Sequence, residues 1–209
     1  MTMPIDLKLV ELLCSRLCHD LIGPIGAINN GLELLEDYDP SMADDVLPLL
    51  NSSAKQAWGR LAFFRAALGV GGGRAAWSAA DLRRIADGMF SSDKVSVEWL
   101  IDDGQDIGRH QARLLLNLSL VAAETLTRGG AIRVSITPVG AGSRISVEAV
   151  GPDVALAPRH RQGLTAAIPV AELEERGIHA FMTGLMVAEA GATIHFAEAP
   201  GKVAFEATL

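Results

Sequence analysis

Long apolar runs, basic stripes and paired cysteines are all absent from this sequence, and each absence excludes a class of protein. No run approaches the about 20 apolar residues of a membrane-spanning helix, and no signal peptide is visible. The formal net charge is −7 and no basic stripe appears, which argues against nucleic-acid binding. Cys14 and Cys18 form neither a CxxC nor a zinc pattern. We therefore expect a cytoplasmic protein with small, reduced packing cysteines, and with neither nucleic acid nor a membrane as partner.

A helical apolar pattern between about Val10 and Leu35 is the most informative stretch that is present. At roughly 100° per residue, one stripe holds Val10, Leu13, Leu17, Leu21, Ile25, Ile28, Leu32 and Leu35. His19 falls almost opposite this stripe and is expected to face solvent, with the carboxylate of Asp20 directly after it. Pro24, five residues further on, should kink the helix. An exposed imidazole beside a carboxylate, on a helix otherwise made for packing, indicates a functional residue.

The helix face around His19 is made of small residues rather than the Lys, Glu and Gln of an ordinary solvated face. It holds Ser15, Gly23, Gly26 and Asn30, with Leu12 and Glu33 at its ends. A helical glycine costs about 1 kcal/mol relative to alanine, so retaining two of them needs a reason. Small side chains let the backbone of another protein come close to His19. The alternative is that Gly23, Pro24 and Gly26 form a loop between two short helices.

Two helices in succession predict a helical hairpin. The first, capped by Asp6, should end near Asp37, and Ser41 with Asp44 marks the start of the second, which Pro48 weakens. The second stripe contains Val46, Leu50, Ala57, Leu61, Phe64 and Leu68. Because two helices cannot cover two broad stripes, a second copy should complete a four-helix bundle. In the alternative arrangement, the hairpin packs only on the C-terminal part of the chain.

Beyond a glycine-rich linker at 69–73 the pattern changes to α+β. Helices are predicted at 79–89, 108–126 and 178–190, weak helical pieces at 162–167 and 172–175, and strands at 95–101, 131–137, 143–150, 192–197 and 203–209. This order predicts a mixed sheet with helices on one face. The 209 residues, 49% of them hydrophobic, suffice for such a core. We expect a hairpin domain at 1–70, a linker at 71–77 and a second domain at 78–209.

Residues 19–24, His-Asp-Leu-Ile-Gly-Pro, resemble the H box of histidine kinases, in which an acid follows the phospho-accepting histidine and a proline stands five places on. Three later segments resemble the ATP-binding domain of those kinases. They are the N box at 116–123, the first glycine box at 147–154, and the second glycine box at 177–180 with 190–191. The resemblance implies a fold in which a dimeric helical bundle precedes a histidine-kinase/Hsp90-like ATPase α/β sandwich.

Departures from those boxes imply that the nucleotide site is degenerate. Asn117 of the N box is kept, but its second asparagine, which helps to hold magnesium in the kinases, is Val121. The carboxylate that reads the adenine amino group is Ala149, the last glycine of that box is Asp153, and a glycine of the second box is His179. An acid and an imidazole where phosphates would lie oppose binding. We expect neither ATP nor ATP-dependent kinase activity.

An intact histidine box joined to a degenerate nucleotide domain resembles the ChpT-type histidine phosphotransferases of alphaproteobacteria. Residues 16–24, 29–34 and 63–65 are typical of that family. The resemblance implies a homodimeric relay protein, which takes a phosphoryl group from the receiver domain of a hybrid histidine kinase and passes it to response regulators. It also implies that the receiver supplies Mg²⁺, a lysine and the acceptor aspartate, so that this chain needs no metal or other cofactor.

Within this resemblance His19 is the nucleophile, and Asp20 orients its ring. The candidate receiver-docking residues are Leu12, Ser15, Arg16, Ile22, Gly23, Gly26 and Asn30. Arg16 is placed to offset phosphate charge. Gly23, four residues after His19, cannot position a water molecule as Thr or Asn does in bifunctional kinases, which implies a carrier rather than a phosphatase. The other histidines, His110, His160, His179 and His195, are expected to be surface or turn residues.

Three other functions and two other residue roles are compatible with the sequence. The chain could be an active or residual ATP-dependent histidine kinase, although Val121, Ala149, Asp153 and His179 speak against it. A metal-dependent hydrolase built on His19 and Asp20 would need further His and Asp ligands. A pure adaptor would make His19 incidental. Asp20 could be a solvated helix acid and Arg16 a plain surface residue.

Overall fold

A computed structural model describes residues 6–37, 43–69, 75–90 and 94–209, and begins with two long helices. Helix α1 spans Leu7–Asp37 and helix α2 spans Ala43–Ala67. Asp6 caps α1, because its Oδ1 accepts a hydrogen bond from the backbone N–H of Lys8 at 3.0 Å. The alternative of a loop at Gly23–Gly26 is wrong, since α1 continues through Pro24. The predicted turn after Asp37, the cap at Ser41 and most of the glycine linker lie outside the described residues.

The described residues after α2 form seven strands, four helices and two short 3₁₀ turns. The strands are β1 Ala76–Ser78, β2 Val95–Trp99, β3 Asp106–Gly108, β4 Gly130–Val139, β5 Gly142–Val150, β6 Thr193–Ala199 and β7 Lys202–Thr208. The helices are α3 Ala79–Phe90, α4 Arg109–Thr125, α5 Pro158–Leu164 and α6 Ile178–Glu189, and the 3₁₀ turns are Val170–Glu172 and Glu175–Gly177. Ser78 starts α3 as predicted, because its Oγ accepts a hydrogen bond from the backbone N–H of Asp81.

Five strands form a mixed sheet in the order β2-β4-β5-β7-β6, which confirms the predicted class. β2 and β4 run parallel, whereas the other neighbouring pairs are antiparallel. Burial alternates along β5 and β7: Ile145, Val147 and Phe205 are buried, and charged residues such as Arg144 and Glu206 face away from the core. One face of the sheet therefore lies under the helices, of which α4 contacts both β5 and β7.

Three parts of the structure differ from the predictions. Strands β1 and β3 pair antiparallel over three residues each, too short for an alternating pattern to be visible in the sequence. The piece predicted at 162–167 is α5, which begins earlier because Pro158 occupies its first turn, where a proline is favoured. The piece predicted at 172–175 is absent as such, and the two 3₁₀ turns flank it instead.

Helix α2 joins the core of the C-terminal region through its last two turns. Phe63, Phe64, Ala66 and Ala67 belong to the same buried cluster as the sheet residues and Phe90. The contact with α3 is close, because a Cβ added to Gly59 would lie 2.1 Å from the carbonyl oxygen of Gly88. The hairpin and the C-terminal region therefore share one core.

Part of the apolar surface of the hairpin remains exposed after this packing. Val10, Ile25 and Leu32 of α1 are exposed, as are Leu47, Trp58 and Leu61 of α2. Cys14 and Cys18 are free thiols as predicted, but both are exposed rather than packed. A groove of about 420 Å³ opens between the helices, lined by Leu17, Trp58, Leu61, Ala62, Phe64, Arg65, Leu68 and Gly69. Large exposed apolar patches are uncommon on monomers.

Candidate functional site

His19 lies on the exposed side of α1 with its ring held at one nitrogen. Its side chain is 69% exposed, and its Nδ1 lies 3.2 Å from Oδ1 of Asp20. An ionised carboxylate only accepts hydrogen bonds, so this contact places the ring proton on Nδ1. The lone pair of the neutral imidazole is then on Nε2. The arrangement supplies a solvent-exposed nitrogen nucleophile with a defined tautomer.

Asp20 is largely buried, with 11% of its side chain exposed, and is held from two sides. Its Oδ2 lies 3.3 Å from Nε of Arg16, one turn earlier on the same helix. Its backbone carbonyl accepts a hydrogen bond of 2.7 Å from Nη1 of Arg60 on α2. The two oxygens of the carboxylate therefore serve different neighbours, with Oδ1 facing His19 and Oδ2 facing Arg16.

Arg16 joins the hairpin to the C-terminal region. Its Nη2 donates a hydrogen bond of 3.1 Å to Oε1 of Glu124, near the C-terminal end of α4. The guanidinium thus lies between the carboxylates of Asp20 and Glu124. A cavity of about 230 Å³ adjoins these groups, lined by Arg16, Asp20, Arg60, Met89, Phe90, Leu120, Ala123 and Glu124.

Glu124 is also bound by two buried histidines. Its Oε1 accepts from Nδ1 of His179 at 3.1 Å, and its Oε2 lies 3.2 Å from Nε2 of His160. Burial raises the pKa of Glu124, but the hydrogen bonds from His160 and His179 outweigh it and hold the pKa at about 2. The ring of His179 also stacks on Phe64, with centroids 6.1 Å apart. Glu124 is therefore a fixed anion where α4, α5 and α6 meet.

The prediction that His160 and His179 are surface or turn residues is wrong, since both are buried. The same prediction is confirmed for His110 and His195, which are exposed. A signal for His179 was present in the sequence, because its helix is apolar on nearly all sides, and such a helix is buried. No comparable signal marks Glu124 or His160.

The candidate docking residues divide into an open group and a group that contacts this chain. Ile22, Gly23 and Asn30 are exposed, and a Cβ added at Gly23 or Gly26 would meet no atom within 4 Å. Leu12 packs against the cluster of Leu173, Ile178 and Phe181. Ser15 donates a hydrogen bond of 3.2 Å from Oγ to Oε2 of Glu175, and Arg16 is held by Glu124. The open group follows His19 along α1.

The residues of the degenerate nucleotide boxes lie in the core or in contacts of their own. Val121 and Ala149 are fully buried in the core. Asn117 is a packed polar group, whose Nδ2 donates to the carbonyl of Ala67 on α2 at 2.9 Å. Asp153 accepts a hydrogen bond of 2.9 Å from Thr127, and His179 is bound to Glu124. These side chains bind other parts of the chain.

The described part of the chain contains neither a cluster of metal-binding side chains nor a membrane-spanning helix. Its His, Cys, Asp and Glu side chains form no group of three or more that could hold a metal ion. None of the helices that the structure describes, α1 to α6, is long and apolar enough to cross a membrane.

Comparison with known proteins gives matches over the whole chain. A family model described as the histidine phosphotransferase C-terminal domain matches residues 79–202. The chain is 30% identical over 213 residues to the protein phosphotransferase ChpT of Brucella abortus (strain 2308), covering 99% of this chain and all of that protein. A solved structure of a bacterial phosphotransferase matches with a TM-score of 0.83 at 31% identity, covering 99% of this chain and 98% of that one.

A more distant match concerns the fold alone. The histidine kinase ThkA, solved in complex with the response regulator protein TrrA, matches with a TM-score of 0.50 at 16% identity. The match covers 97% of this chain and 62% of that one.

Proposed function

Because this chain belongs to the ChpT-type histidine phosphotransferases, we propose that His19 carries the phosphoryl group in a His–Asp phosphorelay. The group comes from the receiver domain of a hybrid histidine kinase and passes to the receiver domains of response regulators. The observation that carries the proposal is the exposed ring of His19 with Nδ1 bound by Asp20, which leaves Nε2 free to react.

In the transfer step, the Nε2 lone pair attacks the phosphorus of the aspartyl phosphate of the receiver. The P–N bond forms as the bond from phosphorus to the aspartate oxygen breaks, and the receiver carboxylate leaves with that electron pair. The Nδ1 proton stays in place, so the phosphorylated ring carries a positive charge beside the Asp20 carboxylate. Asp20 thus favours the reactive tautomer before attack and stabilises the charge after it. Transfer to the next receiver reverses the same steps.

We place receiver docking on the open surface formed by Ile22, Gly23, Gly26 and Asn30 beside His19. The open space at Gly23 and Gly26 would allow a helix of the receiver to lie against α1, with the exposed Ile22 as an apolar contact, which would bring the aspartyl phosphate within reach of Nε2. Leu12 and Ser15 would form the border of this surface with the C-terminal region, and Arg16 lies behind it. We expect Mg²⁺ to enter with the receiver.

A second copy of the chain is the partner we propose for the exposed apolar surface of the hairpin. Trp58 is 69% exposed and Leu61 is 50% exposed at the 420 Å³ groove, beside Leu17 and Leu68. Pairing two hairpins would bury these side chains in a four-helix bundle, and each buried large apolar side chain contributes about 1.5–3 kcal/mol. Trp58→Asp is therefore expected to weaken dimerisation about 100-fold. Light scattering over a concentration series measures it, and a wild-type monomer at micromolar concentration would contradict the dimer.

We also propose that the chain uses no ATP and no cofactor. Val121 and Ala149 are core residues that offer no ligand to magnesium or adenine, and the ring of His179 stands where the kinases have a glycine. A nucleotide would have to displace His179 from Glu124. No observation favours the alternative of a residual kinase.

One experiment distinguishes these functions. The protein is incubated either with a phosphorylated receiver or with γ-labelled ATP, and the label on this chain is followed. We expect an acid-labile phosphorylated histidine from the receiver and none from ATP. Label from ATP alone would contradict the absence of kinase activity. No label from any receiver of the same organism would contradict the relay and favour the adaptor.

A further inference from the structure

We propose that Glu124 is a positioning residue for phosphoryl transfer, acting on His19 through Arg16 and Asp20. The inference rests on the proposed function of His19, and it gives the C-terminal region a part in the reaction. It starts from one continuous row of side chains. Nδ1 of His19 lies 3.2 Å from Asp20, Asp20 lies 3.3 Å from Arg16, and Arg16 lies 3.1 Å from Glu124.

The orientation of Asp20 depends on where Arg16 is held. An arginine four residues before an aspartate on an exposed helix forms only a weak, mobile pair, because both side chains have many other rotamers. Here Nη2 of Arg16 is bound to Glu124, so its Nε remains beside Oδ2 of Asp20. This contact is an ion pair at 3.3 Å in which Nε of Arg16 makes no hydrogen bond to a described residue. With Oδ2 beside the guanidinium, Oδ1 faces the ring of His19. The position of the guanidinium thus fixes the tautomer of the nucleophile.

Glu124 is in turn held more firmly than a surface carboxylate. His179 on α6 and His160 on α5 bind its two oxygens, and their side chains are 1% and 2% exposed. The stacking of His179 on Phe64 fixes that ring against α2. Nε2 of His179 and Nδ1 of His160 are buried without a partner among the described residues, so each ring is oriented by Glu124 alone among polar groups.

Burying Glu124 with two histidines costs desolvation free energy that apolar side chains would not cost. Replacing buried ion pairs by apolar residues is often neutral or stabilising, so packing alone gives no reason to keep this one. The contact of Glu124 that leads out of the C-terminal region is the one to Arg16, and that row ends at His19. Without the charge of Glu124, Arg16 would lose its anchor, and Asp20 would no longer be held with Oδ1 toward the imidazole.

The test uses the full-length protein, its Glu124→Gln, Arg16→Gln and double variants, and a phosphorylated receiver as donor. For each protein we would measure kcat and KM for transfer, and the tautomer of His19 from imidazole ¹⁵N shifts, assigned with His19→Ala. We expect Glu124→Gln and Arg16→Gln each to lower kcat about tenfold with KM little changed. This lies at the low end of the effect of residues that orient metal-binding histidines. Both should also reduce the Nδ1–H tautomer.

The double variant distinguishes an effect of Glu124 that acts through Arg16 from two independent effects on kcat. If Glu124 acts through Arg16, the double variant is no slower than Arg16→Gln, within about twofold. Independent effects would multiply to about 100-fold. Glu124→Asp, which keeps the charge, should recover part of kcat and of the tautomer population.

Two control variants exclude loss of stability and loss of charge as general causes. Glu98→Gln removes an exposed carboxylate that pairs with Arg133 on the sheet, and Ile132→Val loosens the core of β4, where Ile132 is fully buried. Neither should change the tautomer or kcat.

The outcomes separate the inference from the function on which it rests. Unchanged kcat and tautomer in Glu124→Gln, or a multiplicative double variant, would overturn the inference. If Glu124→Gln does not fold, Arg16→Gln alone decides, because an unchanged tautomer there breaks the row. Failure of the wild-type protein to accept a phosphoryl group would instead overturn the proposed function, and the ¹⁵N shifts would still decide whether Glu124 controls His19.

Discussion

His19 and His179 make almost the same contact in two very different places. In each, Nδ1 lies 3.1–3.2 Å from a carboxylate oxygen, of Asp20 in the hairpin and of Glu124 in the C-terminal region. The side chain of His19 is 69% exposed, whereas that of His179 is 1% exposed and its Nε2 is buried. The same pair of groups therefore gives an exposed imidazole, the proposed nucleophile, in one place and a buried structural contact in the other. Access to the second ring nitrogen makes the difference.

The largest expected effect on phosphoryl transfer is that of His19→Ala, which removes the exposed member of the two histidine–carboxylate pairs. Transfer should fall to background because the nucleophile is gone, while stability should change by no more than about 0.5 kcal/mol, as for an exposed residue. Labelled transfer and denaturant unfolding measure the two effects. His110→Ala, which removes another exposed histidine, serves as the matched control and should transfer normally. Label remaining on His19→Ala would assign the phosphoryl group to another residue.

His179→Ala should give the opposite result. Losing a buried ring that binds Glu124 and stacks on Phe64 should destabilise the protein by about 3 kcal/mol. Because His160 still holds Glu124, transfer by the folded protein should fall less than about tenfold. Urea unfolding and transfer assays on the same samples test both expectations. A stable variant without transfer would instead make His179 a participant in the chemistry.

Acid should remove the contribution of Glu124 to stability. The pKa of Glu124 is lowered from 4.5 to about 2, so its ionised form contributes stability above pH 4.5 that is lost as the pH falls toward 2. The pKa difference corresponds to at most about 3 kcal/mol, reduced by the part of the side chain that remains exposed. Unfolding free energies measured between pH 6 and 2.5 should show this slope in wild type and Glu98→Gln, and a smaller one in Glu124→Gln. Equal slopes in all three would contradict it.

Gly26→Arg sharpens the comparison at the exposed side, with the smallest expected effect. The nucleophile stays, but a long side chain stands on the same face two turns from His19. Transfer at low receiver concentration should fall about tenfold through KM, whereas stability should rise by up to about 1 kcal/mol because glycine is a poor helix former. The control is Ala54→Arg on the exposed face of α2, which adds the same charge away from His19. A second glycine such as Gly140 is unsuitable, because its positive φ would strain an arginine there. Wild-type transfer by Gly26→Arg would place docking elsewhere.

How much could be predicted depended on the distance between interacting residues along the chain. His19 and Asp20 are adjacent, so their pairing was readable from the sequence, as were the caps at Asp6 and Ser78 and the long periodic helices. His179 and Glu124 are 55 residues apart, and no local pattern announces such a pair. For the same reason, the sequence did not predict the contact of Arg16 with Glu124, which is 108 residues away. Strands β1 and β3 were not predicted, because three residues are too few to establish an alternating pattern.

The backbone contact between Gly59 and Gly88 bears on the speed of encounter with a receiver. A Cβ at Gly59 would collide with the backbone of Gly88, so a hinge motion of the hairpin would have to open a close backbone contact between α2 and α3. In the proposed relay, a receiver would thus meet His19 and the C-terminal region in one fixed arrangement. Association that must wait for a conformational change is slowed by it. If that arrangement is kept, association with the proposed receiver would need only the right orientation of the two proteins.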